Sequence, residues 1–402
     1  MDIFRRIAFR AVQKGFYIAS FFLNWNEPEL LKGAGAVRSL AKKIKEDGFT
    51  SVLIVTDKGL MKLNLLLPLF EGLDENNIKY SVYDGTEPNP TFDNVQKAYE
   101  IYKESGSEAI IAFGGGSPMD CAKGVGIRAA RPTLPLEHFR GYLKVRRRIP
   151  YLYAVPTTAG TGSETTIATV LTNSKTHEKF AINDLHLRPK CAVLDPELTL
   201  LLPPHITSTT GMDALTHAVE AYIGKSNTKD TKESAEKAVK IIFDNIEKVY
   251  KDGSDITARE NMLEASYYAG LAFTRAYVGY VHAIAHNLGG MYKTAHGFAN
   301  AVLLPYVVEY YGKSAHKKLA RLAEVSGLDT SGKSTSEKAK LFIEAIRELN
   351  EKLDIPSKFD MIKESDIKVL SERAYKEGNP MYPVPRMFTR KEFEDIIRQV
   401  KE

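Results

Sequence analysis

Short β-branched or aromatic runs alternate with helical stretches over the first half of the sequence, and this alternation limits the available folds more than any other feature. Strands that alternate with helices are typical of βαβ units, which build a parallel sheet. The runs are apolar almost throughout, as expected of strands that are covered on both faces. Strands are predicted over 51–56, 79–83, 108–113, 151–155 and 191–194, with helices around 60–73, 94–105 and 119–130.

The second half of the sequence has a different pattern, in which apolar residues recur with helical periodicity and no strand is predicted. Helices are predicted over 234–250, 258–272, 315–325 and 336–353. The change falls near Pro203 and Pro204, and a length of 402 residues is sufficient for two domains. We therefore predict an α/β domain with a mostly parallel sheet over 28–202, an all-helical domain over 203–402, and a helical N-terminal extension over 1–27.

Composition excludes several classes of protein. A hydrophobic fraction of 44% excludes a disordered chain, and a net charge of +5 without a basic block argues against a nucleic-acid binder. The two cysteines, Cys121 and Cys191, form no CxxC pair, so that we expect a reducing, cytoplasmic compartment and no disulfide framework.

The N-terminal extension combines basic residues with the apolar run 16–22. This run is too short to span a bilayer, so no stable membrane insertion is expected. We predict an amphipathic helix that packs on the protein or on a partner subunit. Because of its basic face, binding to a membrane surface stays open as an alternative.

Two loops rich in small residues follow predicted strands. In the segment 114–118, three glycines precede Ser117 and Pro118, which suit the start of a helix whose free N–H groups would hold a phosphate. A tight turn that merely needs small residues is the alternative. The second loop, 156–164, contains hydroxyls and glycines at the edge where ligands bind in open α/β sheets. The order is not that of an ordinary dinucleotide fold, because the acidic residue Asp57 precedes the glycines.

The helical half contains histidines at metal-ligand spacing. Asp213 and His217 are four residues apart, as are His282 and His286, and His296 follows a turn. A spacing of four residues places two side chains on one face of a helix. A single histidine on an apolar helix is more often a hydrogen-bonded core residue, but several imidazoles with one carboxylate suit Fe(II) or Zn(II).

The four motifs GGGSPMDCAK, PTTAGTGSE, GMDALTHAVEAY and HAIAHNLGGMYKTAHGFANAVLLP occur in this order. From about residue 28 to the C-terminus, the sequence resembles the iron-containing (group III) alcohol dehydrogenases, which include butanol, propanediol and lactaldehyde oxidoreductases. The resemblance implies an N-terminal domain that binds NAD(P), a helical domain that binds the metal, and a substrate in the cleft between the domains. It also implies hydride transfer between NAD(H) and a small primary alcohol or aldehyde.

Carried over by position, the resemblance assigns the metal to Asp213, His217, His282 and His296. His286 becomes the candidate for proton relay or substrate contact. Together with the metal ligand His282, it forms the predicted set of catalytic residues. The cofactor-binding set implied by the resemblance is Asp57, Gly115, Gly116, Ser117, Asp120, Thr157, Thr158, Thr161, Val170 and Lys179. The cofactors expected are Fe²⁺, with Zn²⁺ as the alternative, and NAD rather than NADP, because the Asp57 carboxylate would repel an extra phosphate. A homodimer or higher homo-oligomer is also expected.

The sequence departs from the family pattern in four places. Ala295 replaces the usual proline before the last metal histidine, Tyr310 and Tyr311 stand where an asparagine is common, the segment 381–386 is lengthened, and the extension has no counterpart in shorter members. Two other functions stay open: a carbon–oxygen lyase resembling dehydroquinate synthase, which also uses NAD and a divalent metal, and a non-catalytic protein that binds nucleotide or metal.

Overall fold

The six-stranded sheet of the protein is built from the five predicted β segments and one further strand. The structure, a computed structural model, describes residues 3–176 and 178–402. Up to residue 201 its elements are α1 (Ile3–Ser20), β1 (Glu29–Lys32), α2 (Ala36–Glu46), β2 (Ser51–Val55), α3 (Lys58–Lys62), α4 (Leu67–Glu75), β3 (Lys79–Tyr83), α5 (Phe92–Glu104), β4 (Ala109–Gly114), α6 (Gly116–Ala130), β5 (Gly141–Tyr142), β6 (Tyr151–Pro156), β7 (Ala168–Thr172), β8 (Lys179–Asn183) and β9 (Cys191–Leu194).

The large sheet is parallel throughout, in the order β1-β9-β6-β4-β2-β3. Alternate residues of its strands point to opposite faces, and both faces are buried. Leu53 and Ile110 belong to one apolar cluster with α5 and α6 residues, whereas Ile54 and Ile111 belong to a second with α2 and α4 residues. The predicted coverage of both faces is therefore confirmed.

Beyond residue 201, every named element within the described chain is a helix. The helices are α7 (Pro204–Ile223), α8 (Lys229–Lys251), α9 (Ile256–Ala276), α10 (Tyr280–Tyr292), α11 (His296–Tyr310), α12 (Lys313–Val325), α13 (Thr335–Lys352), α14 (Ile367–Gly378) and α15 (Arg390–Val400). Residues 24–201 form one compact unit, and residues 3–23 together with 202–402 form a second. The predicted fold class, an α/β half followed by an all-helical half, is confirmed.

Two local predictions need correction. The single helix expected over 60–73 is divided into α3 and α4, because Asn64 adopts a left-handed conformation with φ of 58° and breaks the helical hydrogen bonding. The second sheet, in the order β5-β8-β7, was not predicted. Its antiparallel hairpin alternates buried and exposed residues over only five positions per strand, so its sequence lacks the continuous apolar run of the main strands.

No helix in the described ranges 3–176 and 178–402 is both long enough and apolar enough to cross a membrane.

Candidate functional site

Three helices bring the four predicted metal ligands together. Asp213 and His217 lie one turn apart in α7, His282 lies in the first turn of α10, and His296 is the first residue of α11. One ligand atom of each side chain lies within 4.8 Å of those of the other three. Asp213 Oδ1 is 3.5 Å from His296 Nε2 and 4.0 Å from His282 Nε2. The helices thus complete a cluster that the spacing along the sequence could not establish.

Three of the four predicted ligands are buried. Asp213, His217 and His282 are each at most 5% exposed, whereas the side chain of His296 is 40% exposed. Burial and the neighbouring histidines hold the pKa of His282 well below its usual range. His282 is therefore a neutral imidazole, which is the form that binds a metal ion.

The side-chain amide of Asn300 lies at the centre of the cluster. Its Nδ2 is 2.7 Å from Asp213 Oδ1, 3.1 Å from His296 Nε2 and 3.2 Å from His282 Nε2. The side chain is fully buried, and its Oδ1 has no hydrogen-bond partner. The amide nitrogen therefore marks a point on which acceptor atoms of three predicted ligands converge. Asn300 was not predicted, although it lies four residues after His296 and hence on the same helical face.

A buried carboxylate orients His282 from behind. Glu220 Oε2 is 2.7 Å from His282 Nδ1, and the two carboxylate oxygens accept hydrogen bonds of 2.7 Å from the backbone N–H groups of Gly279 and Val281. Burial raises the pKa of Glu220 to about 7, and these N–H donors oppose that rise. With Nδ1 directed at the carboxylate, the Nε2 atom of His282 faces the cluster. A carboxylate behind a histidine in this way fixes the ring orientation of a metal ligand.

The arrangement fits a divalent cation. It offers three imidazoles and one carboxylate, acceptor atoms that converge on one point, and a carboxylate that orients one of the rings. A set of nitrogen and oxygen ligands without thiolate suits Fe(II) or Zn(II).

A glycine permits the close approach of α11 to α7. A Cβ atom on Gly297 would lie 2.3 Å from the backbone oxygen of Thr209 and 3.3 Å from Asp213 Cβ. Any side chain at this position would push His296 away from Asp213. Ala295, where the family usually has proline, has the extended conformation that precedes a helix, with φ of −60° and ψ of 133°, so the proline is not required for this geometry.

His286 lies one turn after His282 and beside the cluster. Its ring stacks on that of His296 with centroids 5.1 Å apart, and its Nδ1 is 2.6 Å from Glu377 Oε1. Partial burial disfavours the charged imidazolium, but the Glu377 carboxylate outweighs this effect and raises the pKa of His286. Glu377 also accepts hydrogen bonds from Asn287 and Tyr382. No sequence pattern pointed to Glu377, which lies 91 residues away from the histidine that it contacts.

The two predicted cofactor loops meet at one edge of the large sheet. They follow β4 and β6, which are neighbouring parallel strands whose carboxyl ends lie side by side. A Cβ atom on Gly115 would lie 3.4 Å from Thr158 Oγ1, and one on Gly116 would lie 3.3 Å from Thr161 Cγ2. The loops therefore pack closely at the N-terminus of α6, where free N–H groups favour a phosphate.

Further members of the predicted cofactor set extend from these loops. Ser117 Oγ accepts a hydrogen bond of 3.3 Å from Asn89 N, and Asn89 Oδ1 accepts one of 2.7 Å from Lys179 Nζ. Burial lowers the pKa of Lys179. Lys179 is thereby linked to the glycine loop, although it belongs to the second sheet.

Three more members lie close to the same loops. Thr157 donates its N–H to the backbone oxygen of Gly114 at 3.3 Å. Asp120 accepts a hydrogen bond from the backbone N–H of Val170, whose side chain is exposed on β7. Contact between these residues and a dinucleotide stays a prediction.

Asp57 caps a helix. It lies just after β2, and its Oδ1 accepts a hydrogen bond of 3.0 Å from Leu60 N at the start of α3. Capping uses one carboxylate oxygen, so the predicted role of Asp57 in selecting NAD over NADP is compatible with its structural role.

Lys123, a buried lysine that was not predicted as a site residue, connects α6 to the second cofactor loop. Lys123 Nζ donates to Ser163 O and Thr166 Oγ1 at 2.8 Å, to Ala168 O at 2.9 Å and to Ser163 Oγ at 3.1 Å. The side chain is fully buried, and burial lowers its pKa against the effect of the nearby Asp120 and Glu164 carboxyl groups. All three ammonium protons thus have acceptors.

Glu164 is expected to make the stability of the protein depend on pH. Burial raises its pKa from 4.5 to about 7, and its Oε1 has no hydrogen-bond partner. A carboxyl whose pKa is raised by folding stabilises the fold fully below its unfolded pKa, and this contribution is lost as the pH rises through the folded value. The loss between the two pKa values is about 3 kcal/mol.

The free energy of unfolding of Glu164→Gln should therefore rise relative to that of the native protein as the pH increases. The difference between the two proteins should change by about 3 kcal/mol from about pH 4 to about pH 8. Urea denaturation at the two pH values measures this change. The matched control is Glu104→Gln, at an exposed position of α5 in the same unit. A Glu164→Gln effect of equal size at both pH values would show that burial does not hold this group neutral.

Comparison with known proteins gives the family. The family model described as "Iron-containing alcohol dehydrogenase" matches residues 28–196. The model described as "Fe-containing alcohol dehydrogenase family, C-terminal" matches residues 207–400. The chain belongs to the iron-containing alcohol dehydrogenase family. The predicted resemblance is confirmed, as are the prediction of an oxidoreductase and the predicted cofactors, NAD and iron. The lyase alternative is not favoured.

Three relatives illustrate the similarity. The chain is 42% identical to 1,3-propanediol dehydrogenase from Citrobacter freundii over 371 residues, which cover 91% of this chain and 95% of that protein. It is 35% identical to NAD-dependent methanol dehydrogenase from Bacillus methanolicus over 383 residues, covering 95% and 99% of the two chains. The crystal structure of a 1,3-propanediol oxidoreductase matches with a TM-score of 0.90 and 38% identity, covering 94% of this chain and 99% of that one.

Proposed function

We propose that this protein transfers a hydride reversibly between NAD(H) and a small primary alcohol or aldehyde at a metal centre formed by Asp213, His217, His282 and His296. The observation that carries the proposal is the convergence of these four ligand groups within 4.8 Å of one another. When bound, the metal ion supplies Lewis-acid polarisation of the substrate oxygen, and the nicotinamide supplies the hydride acceptor or donor.

The protein sets the charge and rigidity of this centre. Asp213 contributes one negative charge and the neutral histidines contribute none, so that a divalent ion keeps a net charge of about +1. Glu220 holds the ring of His282 through Nδ1 and is itself fixed by two backbone N–H groups. Side chains fixed in this way hold their geometry without reorganisation during the reaction.

His286 is the proposed group for proton transfer. Its Nδ1 faces Glu377, which leaves Nε2 as the ring nitrogen that can exchange a proton with substrate or solvent. The side chain is 41% exposed, so such a proton can reach water. The ring of His286 stacks on that of the ligand His296, so His286 lies directly beside the ligand cluster.

The proposal that NAD is preferred over NADP rests on Asp57. At an effective dielectric constant between about 20 and 80, one charge contact with the extra phosphate of NADP is worth about 1 to 4 kcal/mol, or roughly five-fold to several hundred-fold in affinity. The carboxylate is half-buried, so a value between these limits is expected.

Asp57→Ala and Asp57→Ser should both lower the ratio of kcat/KM for NADH to that for NADPH, because both remove the charge. Only the serine variant keeps an oxygen that can cap α3, so only the alanine variant should lose about 1 kcal/mol of stability. Steady-state kinetics with both cofactors and thermal melts measure the two effects separately. An unchanged ratio in both variants would remove Asp57 from cofactor selection.

The reaction itself is tested by adding aldehydes to protein loaded with Fe²⁺ or Zn²⁺ in the presence of NADH. The fall in NADH absorbance measures turnover, and protein treated with a chelator is the control. The relatives' names suggest a first panel of lactaldehyde, methanol, 1,3-propanediol and short unbranched homologues, with alcohols assayed in the NAD⁺ direction. Absence of turnover with both metals across the whole panel would favour a non-catalytic binding protein.

Two further expectations belong to this proposal. A homo-oligomer is expected from the family resemblance, and light scattering of the purified protein measures it directly. A cytoplasmic location is supported by Cys121 and Cys191, which are buried free thiols.

A further inference from the structure

The first helix, α1, packs on the protein through a polar stripe. Gln13 Nε2 donates to Pro380 O at 2.8 Å and to Tyr382 O at 2.9 Å, and Arg10 Nη1 donates to Val384 O at 2.9 Å. The residues of this stripe recur every one to four positions and are buried or half-buried: Phe9, Arg10, Gln13, Tyr17 and Ser20. Two of the accepting carbonyl groups belong to the lengthened segment 381–386. The N-terminal extension and this segment, which both depart from the family pattern, therefore contact each other.

The opposite side of α1 is apolar and exposed. Ile7, Ile18 and Phe22 are 62%, 50% and 85% exposed, and Phe4 is 77% exposed. At 100° per residue, Phe4, Ile7 and Ile18 lie on one face of α1, turned by a third to a half of a turn from Gln13. Phe22 lies in the turn that follows the end of the helix at Ser20. A surface helix usually turns its large apolar side chains to the protein. In α1 the side that packs on the protein carries Arg10, Gln13 and Ser20 beside two aromatic rings, and large apolar side chains also face outward. Singly exposed apolar residues are common, whereas a face of this kind indicates a binding surface.

The charge on α1 shows what kind of surface would cover this face. The helix contains Arg5, Arg6, Arg10 and Lys14, and it contains no acidic residue. By the same helical geometry, Arg5 and Lys14 lie on either side of the apolar face. Apolar side chains flanked by cations are typical of helices that lie at the interface of an anionic bilayer, where the cations reach the headgroup phosphates.

A second copy of α1 is a poorer match. Two such helices packed through their apolar faces would bring Arg5 and Lys14 of both copies together, and α1 contains no carboxylate to compensate them. An anionic lipid surface accommodates both the apolar side chains and the cations. We propose that α1 docks this enzyme reversibly on anionic phospholipid membranes, with the helix lying along the surface. This inference does not depend on the proposed reaction.

The test is co-sedimentation of the full-length protein with vesicles of phosphatidylcholine alone, or of phosphatidylcholine and phosphatidylglycerol in equal amounts. We expect binding to the anionic vesicles only, and its loss at high ionic strength. Arg5→Gln combined with Lys14→Gln should weaken partitioning about 25-fold, at about five-fold per cation. Ile18→Ser combined with Phe22→Ser should weaken it roughly ten-fold or more, because apolar contact with the acyl region is lost.

The matched control is Lys317→Gln combined with Val369→Ser, which changes an exposed cation and an exposed apolar residue elsewhere in the same unit. This variant should bind anionic vesicles as the native protein does. Thermal melts establish that each variant is folded. Native protein that stays in the supernatant with anionic vesicles would overturn the proposal. So would an Ile18→Ser, Phe22→Ser variant whose oligomer dissociates in sedimentation velocity while its vesicle binding is unchanged, since the face would then bind a second copy.

Discussion

Replacing His282 by alanine is expected to remove most of the bound metal from the purified protein. His282 supplies one of four convergent ligand atoms, and it is the ligand held by Glu220. If the four ligands share a binding free energy of about 10 to 16 kcal/mol, loss of one costs on the order of 3 kcal/mol, or roughly two orders of magnitude in affinity. Elemental analysis gives the stoichiometry, and competition with a chelator gives the affinity.

The variants Glu220→Gln and His316→Ala complete this experiment. Glu220→Gln keeps the ligand but weakens its support, so a loss of about 10-fold to 100-fold in metal affinity is expected. His316 lies in α12 outside the ligand cluster, and its replacement should change neither stoichiometry nor affinity. Unchanged metal binding in His282→Ala would show that the convergent groups are a hydrogen-bonded core cluster rather than a metal site.

The elements that could be predicted from the sequence are those determined by local pattern. The segments that became β2, β4 and β6 are apolar runs bounded by turn residues, and they are buried on both sides of the sheet. Strand β1 was missed because it has only four residues and becomes a strand through its pairing with β9, more than 150 residues away. Such pairing is a tertiary effect that a short window of sequence does not contain.

The candidate site shows the same division between local and distant information. The pair Asp213 and His217 could be placed on one helical face, and Glu220 also lies on α7, three residues after His217, so that helical spacing offered a signal for it. The approach of α7 to α10 and α11 depends on packing, including the contact permitted by Gly297. Glu377 could not be found, because it comes from α14, far from any histidine in the sequence.

The buried lysine of the cofactor-binding unit leads to the second large expected effect. Lys123→Met should lower the free energy of unfolding by about 3 to 5 kcal/mol, the usual cost of removing one partner from a buried charged cluster. Methionine fills a similar volume, but the carbonyl groups of Ser163 and Ala168 lose their donor. Asp120 and Glu164 also lose their nearby cation, so their pKa values should rise further.

The same substitution should weaken NADH binding more than stability alone requires. Lys123 fixes the segment that follows Thr161, whose methyl group packs against Gly116 in the glycine loop. Release of this segment should disorder the predicted phosphate site, because Thr161 would no longer be held against Gly116 at the start of α6. Chemical denaturation measures the stability, and NADH fluorescence titration measures binding under conditions in which the variant remains folded. Lys97→Met, at an exposed position of α5, is the matched control and should change neither quantity. A folded Lys123→Met protein with native affinity for NADH would show that the lysine stabilises the unit without shaping its cofactor site.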